Sequence, residues 1–383
     1  MANEITWRLE HERIGRLLLH YAMPAVIGTM VNALYNIVDR IFIGQGVGPL
    51  AMAGLTLTFP ILLFLQAFGM LIGAGAATRV SIYLGRRENE MAEKVLGNAF
   101  TLTFIITLAT VVPCMIWMKD LLLAFGGSEQ TIPYAQDYLN IVVPGTLLTS
   151  LSFGFNAVMR ASGYPKKAMF TMLIGAITNV ILDPIFIFWF DMGVKGAALA
   201  TVLSQACSAA WVLSFLFSRR ASLSLEKRNM RLSRKIVFAM LALGISPFIM
   251  ASTESLVGFV LNSSLKNFGD IYVSALTILQ SAMQFASVPL TGFALGFVPI
   301  ISYNYGHGDK QRVKDCFRIV MITMFSFNLL LMLLMILFPT IVASAFTSDE
   351  KLIETVRWTM PVFLGGMTIF GLQRACQNMF VAL

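Results

Sequence analysis

Long runs of apolar residues, separated by short polar loops, make up most of this sequence. Each run is longer than the roughly 20 residues that an α-helix needs to cross the hydrocarbon core of a membrane. The pattern therefore predicts ten membrane-spanning helices. Their ranges are 16–43, 50–82, 95–118, 134–160, 168–190, 196–218, 236–263, 272–303, 317–346 and 353–383.

Four of these segments are longer than a straight crossing requires. Segments 16–43, 50–82, 236–263 and 272–303 are therefore expected to tilt, to bend or to extend beyond the bilayer. Pro24 and Pro247 lie in the first halves of the first and seventh segments. Because proline removes a backbone donor, each invites a bend in its helix.

The basic residues indicate how the chain is oriented. Twenty lysine and arginine residues fall in one set of alternate loops, together with the N-terminal segment, and six fall in the other set. Cytoplasmic loops carry an excess of these residues. The distribution predicts a cytoplasmic N-terminus.

The two halves of the chain resemble each other. Pro24 aligns with Pro247, and at a constant offset of 221 residues Gly75 and Gly85 align with Gly296 and Gly306. The repeat predicts two parallel six-helix lobes, with the chain truncated after about helix 10. The expected units are an N-terminal lobe over 1–218, a basic cytoplasmic linker over 219–235 and a C-terminal lobe over 236–383.

Composition places the chain among the all-α polytopic membrane proteins. It is 57% hydrophobic and 13% charged, whereas soluble domains are about a quarter charged. The net charge of +8 comes from short loops, so we expect no nucleic-acid partner. The four cysteines and three histidines have no metal-binding spacing, and no catalytic or ATP-binding motif is present. We therefore expect a protein that is not an enzyme and has no cofactor.

Two carboxylates interrupt the apolar segments. Asp183 lies in an otherwise uncharged stretch, with Asn179 one helical turn before it, and Asp39 lies in the outer half of the first segment. An acid at the centre of a membrane helix costs about 3 kcal/mol or more, and such residues commonly mark ion or proton pathways. The alternatives are that Asp39 sits at the interface beside Arg40 and that Asp183 caps a kink at Pro184.

Tyr138 and Thr201 are expected at the same depth as the two acids. Carboxylate, amide and hydroxyl oxygens at one level suit a sodium ion, and desolvated carboxylates also suit a proton. The coupling ion is therefore expected to be Na⁺ or H⁺, with the sodium ligands drawn from Asp39, Asn179, Asp183 and Thr201. Tyr138 as an interfacial aromatic residue and Thr201 as a helix-packing residue remain alternatives.

Further polar residues within the segments are candidates for a substrate cavity. Asn32, Tyr35 and Asn36 share the face of Asp39, although the two asparagines would also serve interhelical hydrogen bonding. The other candidates are Gln205, Glu254, Gln280 and Gln284. The 23 methionines and 30 phenylalanines mostly pack against lipid or other helices, but some would suit flat lipophilic ligands.

Several motifs resemble those of the multidrug and toxic compound extrusion (MATE) family, in its prokaryotic branch. They are NIVDRIFIG (36–44), AGLTLTFP (53–60), MRASGYPKKAM (159–169), NVILDPIFIF (179–188) and GVKGAALAT (193–201). The resemblance implies a twelve-helix fold with a V-shaped cavity and efflux of cationic lipophilic compounds in exchange for Na⁺ or H⁺. We also expect a monomer in the cytoplasmic membrane of a prokaryote, in contact with membrane lipids.

The resemblance also assigns roles to residues. It implies that the ion-coupling set is Asp39, Tyr138, Asn179, Asp183 and Thr201, that Asn156 lies in the cavity, and that Glu254 matches an acid used by some members. The departure is that helices 11 and 12 are missing.

A flippase for lipid-linked precursors, from the same fold superfamily, is the alternative function. Such a protein must hold pyrophosphate and should present Arg or Lys to its cavity. Arg79 and Arg160 are expected near the cytoplasmic side, where they can extend to water, so Arg374 is the main candidate. A membrane scaffold without transport activity is a third alternative, which the buried carboxylates disfavour.

Overall fold

A computed structural model describes the chain as α-helices joined by short turns. It describes residues 2–47, 49–124, 127–218, 221–266, 270–344, 349–367 and 369–383. The helices are α1 (Ala2–His11), α2 (Ile14–Gly46), α3 (Pro49–Gly85), α4 (Asn89–Ile116), α5 (Met118–Ala124), α6 (Ile132–Ala161), α7 (Pro165–Pro184), α8 (Gly193–Leu216), α9 (Arg234–Lys266), α10 (Asp270–His307), α11 (Lys310–Leu337), α12 (Pro339–Ser344), α13 (Glu350–Met367) and α14 (Phe370–Ala382).

The all-helical, multi-pass class predicted from the sequence is confirmed. Eight helices within the described residues are long and apolar enough to cross a membrane. They correspond to the first six, the eighth and the ninth predicted segments. The seventh segment falls on α9, whose side chains from 254 to 266 lie outside the described part.

The four segments predicted to be long are the four longest helices of the described chain. They are α2, α3, α9 and α10, with 33, 37, 33 and 38 residues. Pro24 and Pro247 lie inside α2 and α9, and each helix continues through its proline as a single element.

The tenth predicted segment is wrong as a single helix. The structure describes two helices over this range: α13 ends at Met367, and α14 begins at Phe370. The last turn of α13 contains Gly365 and Gly366, and glycine lowers helix stability by about 1 kcal/mol per residue relative to alanine. Ile369 then starts a new turn, in which its carbonyl accepts a hydrogen bond from Leu372 N at 3.0 Å.

Glycines allow early and late helices to pack closely. Gly75 lies against backbone atoms of α9, and Gly296 lies against backbone atoms of α2. Gly85 and Gly306 lie where α3 and α10 cross, each against the backbone of the other helix. A side chain at these positions would hold the helices apart. The glycines related by the 221-residue offset therefore make equivalent contacts in the two halves of the chain. The twelve-helix, two-lobe organisation stays a prediction.

Candidate functional site

Asp183 lies at the centre of the candidate site and is fully buried, at 0% exposure. It occupies the last turn of α7, and Asn179 lies one turn before it on the same face. Asn179 Nδ2 donates a hydrogen bond to Asp183 Oδ1 at 3.2 Å. The two residues therefore form the buried pair that their spacing of four predicts.

Asp39 of α2 faces Asp183. The two carboxyl groups lie within hydrogen-bonding reach of each other, although they are 144 positions apart in the chain. Asp39 is half-buried, so one side of the pair is more accessible than the other. The packing of α2 against α7 brings these two acids together.

Tyr138 and Thr201 complete a ring of polar groups from four helices. Tyr138 of α6 is buried, and its hydroxyl lies close to the hydroxyl of half-buried Thr201 on α8. The Asp39 carboxylate is close enough to interact electrostatically with the phenols of Tyr35 and Tyr138. The structure therefore places Asp39, Tyr138, Asn179, Asp183 and Thr201 in one cluster. Their assignment to ion coupling stays a prediction.

A π-helical turn follows the buried acid directly. Proline has no N–H, and Pro184 interrupts the regular hydrogen-bond ladder at the end of α7. Residues Ile185–Trp189 form the wider turn, in which Phe190 N donates to Ile185 O at 3.0 Å. Within this turn Ile187 is 2% exposed and packs in a cluster with Ile43 and Tyr138. This packing fixes the end of α7 against α2 and α6.

The cluster has more hydrogen-bond acceptors than donors. Asn179 Oδ1 and Asp183 Oδ2 are buried and accept no hydrogen bond from the described residues. Two carboxylates close together in an apolar interior repel each other unless a proton or a cation lies between them. The donor set of carboxylate, amide and hydroxyl oxygens therefore fits either Na⁺ or H⁺. The described residues contain no group of three or more His, Cys, Asp or Glu side chains placed to hold a metal ion.

A small polar cavity lies beside this cluster, among α2, α6, α7 and α8. Its volume of about 10 Å³ is enough for about one water molecule, which needs about 10–15 Å³. Gln205 Oε1 is buried and accepts no hydrogen bond from the described residues. The polar residues of its lining are Asn32, Ser152, Asn156, Thr171, Gln205 and Ser208.

The cavity joins three residues predicted from sequence or resemblance to three that are outside the predicted set. Asn32, Asn156 and Gln205 belong to the predicted set, while Ser152, Thr171 and Ser208 do not. Serine and threonine are common inside membrane helices, where they often bond to backbone carbonyls. The sequence therefore carried no signal that set these three apart.

Several other predicted cavity residues lie elsewhere. Asn36 is exposed and donates to Asn32 O of its own helix at 2.7 Å. Gln280 is half-buried and Gln284 is exposed, both on α10 and outside the cavity. The side chain of Glu254 lies outside the described residues. Neither glutamine of α10 therefore lines this cavity.

The expected extension of Arg160 to water is wrong. Arg160 is 4% exposed, and its guanidinium donates to Asn156 Oδ1 in the last turns of α6. Asn156 Nδ2 in turn donates to Ala168 O of α7 at 2.5 Å. A neutral amide thus ties the buried arginine to the α6–α7 junction. Arg79, by contrast, is half-buried, and its Nε donates to Ala239 O of α9 at 3.3 Å.

Comparisons with known proteins show what the chain is similar to. The family model described as MatE matches residues 24–185 and 247–383. The multidrug export protein MepA of Staphylococcus aureus (strain N315) is 26% identical over 375 residues, which cover 97% of this chain and 82% of MepA.

Solved structures share the fold over nearly the whole chain. A MATE crystal structure in the straight conformation matches with a TM-score of 0.90 and 25% identity, covering 98% of this chain and 84% of that one. An outward-facing multidrug resistance MATE family transporter of the MOP superfamily matches with a TM-score of 0.86 and 23% identity, covering 98% of this chain and 86% of that one.

Proposed function

Because the chain belongs to the MatE family, we propose that it is a multidrug efflux antiporter that exports cationic lipophilic compounds in exchange for Na⁺ or H⁺. The name of its relative MepA, a multidrug export protein, supports the substrate class. The family and the apolar helices support a multi-pass protein of a prokaryotic cytoplasmic membrane. The excess of basic residues in one set of loops supports a cytoplasmic N-terminus.

The facing carboxyl groups of Asp39 and Asp183 are the observation that carries the proposal. They come from two different helices and meet where the chain is apolar, with one amide from Asn179 as a hydrogen-bond donor. Uptake of one positive charge lowers the free energy of such a pair, because it relieves the repulsion between the two carboxylates. An ion can therefore change the interaction between α2 and α7, which is what coupling requires.

Coupling follows from the charge on this pair. When the pair is anionic, repulsion between Asp39 and Asp183 favours separation of α2 from α7 and attracts a cationic substrate. When an entering Na⁺ or H⁺ neutralises the pair, α2 and α7 approach each other and the attraction for the substrate is lost. The helices then exchange between states open to opposite sides of the membrane.

The flippase alternative is not favoured by the polarity of the site. A pyrophosphate group requires convergent basic side chains, but the lining of the small cavity is formed by neutral polar and apolar residues. Arg160 donates a hydrogen bond to Asn156, and Arg79 donates one to a backbone carbonyl of α9. The buried charges of the acid cluster are negative, which suits cations.

The test is efflux from proteoliposomes loaded with a fluorescent cationic dye. A sodium gradient and a proton gradient are imposed separately, so that the gradient that drives efflux identifies the coupling ion. The double variant Asp39→Asn with Asp183→Asn keeps the size of both side chains and removes both charges. We expect gradient-driven efflux to fall to the level of empty liposomes.

Asp191→Asn is the matched control. Asp191 is exposed and has a φ of 50°, a conformation that asparagine tolerates. We expect this variant to transport at the wild-type rate. Equal gradient-driven efflux by the wild type and the double variant would refute the proposal.

A further inference from the structure

The polar connection before α9 folds against α4 as a defined structure. Leu223 and Leu225 are 1% and 5% exposed in the core of the bundle. Asn98 of α4 donates from Nδ2 to Asn229 O at 3.2 Å and accepts at Oδ1 from Ser233 N at 2.7 Å. This part of the connection therefore has fixed contacts with α4.

An open, basic pocket lies between this connection, α4 and the start of α9. Its volume is about 420 Å³, comparable with the smaller ligand pockets of proteins. Glu90 is the acidic residue among those that line it. The basic and amide residues of the lining are Lys94, Asn98, Arg228, Asn229, Arg231 and Lys235.

The charges of this pocket are only partly balanced. Lys94 pairs with Glu90 at 3.0 Å, and Arg228 pairs with Glu226 at 3.5 Å. Arg231 and Lys235 are exposed, and neither forms an ion pair with any residue that the structure describes. Two positive charges are therefore available to an anionic ligand.

A buried amide donor at the pocket lacks an acceptor. Asn229 is 4% exposed, and its Nδ2 donates no hydrogen bond to the described residues. A buried donor left without an acceptor costs about 1–3 kcal/mol. Asn229 lines the pocket, so an oxygen acceptor there, a phosphate oxygen among them, would remove this cost.

Exposed apolar side chains form a row on α4 and a row on α9, and both rows begin near the pocket. On α9, Phe238 and Ile245 follow Lys235 on the same face and are 78% and 51% exposed. On α4, Ile105 and Leu108 follow Asn98 and are 49% and 65% exposed. These rows lie inside the apolar segments, where acyl chains would cover them.

We propose that this pocket binds the phosphodiester headgroup of an anionic phospholipid. Arg231 and Lys235 supply the charge, Asn229 donates a hydrogen bond to a phosphate oxygen, and the rows on α4 and α9 hold the acyl chains. Basic pockets between membrane helices on the cytoplasmic side bind such headgroups. A bound lipid would fasten the connection before α9 to α4.

The proposal is tested with the purified full-length chain in a neutral detergent. Dioleoylphosphatidylglycerol and dioleoylphosphatidylcholine are titrated in parallel, and lipid adducts are counted by native mass spectrometry while thermal unfolding is followed. We expect phosphatidylglycerol to form a retained adduct and to raise the Tm, since a ligand that binds only the folded state stabilises it. Phosphatidylcholine should do neither.

The double variant Arg231→Gln with Lys235→Gln removes the two available charges. At about 1 kcal/mol, or roughly fivefold, per charge, its affinity for phosphatidylglycerol should fall roughly 30-fold. Asn229→Ala tests the amide separately and should weaken the adduct in the same direction. In phosphatidylcholine neither variant should unfold at a lower Tm than the wild type, which shows that both fold.

Lys310→Gln with Lys314→Gln is the matched control, because both lysines are exposed near the N-terminus of α11, outside the pocket. Its affinity for phosphatidylglycerol should stay within about twofold of the wild type. Unchanged adduct formation by the pocket variant would overturn the proposal. Glycerol 3-phosphate distinguishes a free phosphate ligand: if it binds as tightly as the lipid, the acyl-chain part of the proposal fails.

Discussion

Asn179 determines how the buried acid of the candidate site is held. Its amide nitrogen donates to Asp183 Oδ1 at 3.2 Å, while its own Oδ1 is buried without a donor among the described residues. A hydrogen bond to a charged group contributes about 1.5–3 kcal/mol. Asn179 therefore stabilises the anionic form of Asp183 and supplies a further oxygen for a cation.

We predict that Asn179→Ala shifts the response to the coupling ion without abolishing the fold. The Na⁺ concentration that gives half-maximal efflux should rise about tenfold, because one oxygen ligand is lost. If H⁺ is the coupling ion, the half-maximal H⁺ concentration should instead fall, because the donor that stabilises the Asp183 carboxylate is lost. The measurement is the initial rate of dye efflux against Na⁺ concentration or pH. Asn140→Ala, at an exposed position of α6, is the control and should leave the curve in place.

At the scale of the helices, close backbone contacts at helix crossings determine how tightly the helices pack. The backbones of α3 and α9 approach closely at Gly75, where a Cβ would meet the carbonyl of Met240 and would lie 3.2 Å from Gly244 N. Backbone atoms cannot move aside as a side-chain end can, so the two helices would have to separate. Overpacking of this kind costs about 1–3 kcal/mol.

We predict that Gly75→Ala lowers the thermal stability of the purified protein by several degrees. Gly15→Ala is the control, because a Cβ at Gly15, in the first turn of α2, meets no other atom within 4 Å. Alanine also favours the helix there, so the Tm should not fall. An equal loss in both variants would mean that the α3–α9 contact does not limit stability.

At the scale of the whole molecule, α1 joins elements that are far apart in the chain. Tyr303 of α10 donates its hydroxyl to Glu10 Oε1 at 2.9 Å, and Arg87 and His307 lie 3.5 Å and 3.7 Å from the same oxygen. Arg312 of α11 donates from Nε to Leu9 O at 3.0 Å. These contacts join α1 to α10, to α11 and to Arg87 in the turn after α3.

We predict that Glu10→Gln loosens these contacts of α1. The amide oxygen can still accept from Tyr303, but the attraction to Arg87 and to a protonated His307 is lost. Hydrogen exchange in peptides covering 2–12 and 301–309 should become roughly threefold faster or more, as expected for a partly exposed charge cluster. Glu88→Gln, at an exposed position beside Arg87, should leave these rates unchanged. Unaltered exchange in Glu10→Gln would show that α1 is held by Arg312 and packing alone.

The sequence by itself determined the all-α, multi-pass class and most of the helix boundaries. Apolar runs longer than the bilayer thickness permit few other structures, since backbone groups in lipid must be satisfied within a helix. It also singled out Asp39 and Asp183, because an acid among apolar residues is costly wherever it occurs. Both the multi-pass class and the two acids can therefore be inferred from the local composition of single segments.

Only the tertiary structure decided which polar residues meet. It placed Asp39 against Asp183, turned Asn36 outward, buried Arg160 against Asn156 and divided the last segment into two helices. It also formed the basic pocket at Asn229. Each of these depends on how helices rotate and cross. Those contacts join residues that are distant in the chain. The composition of one helix does not specify which face of another helix packs against it.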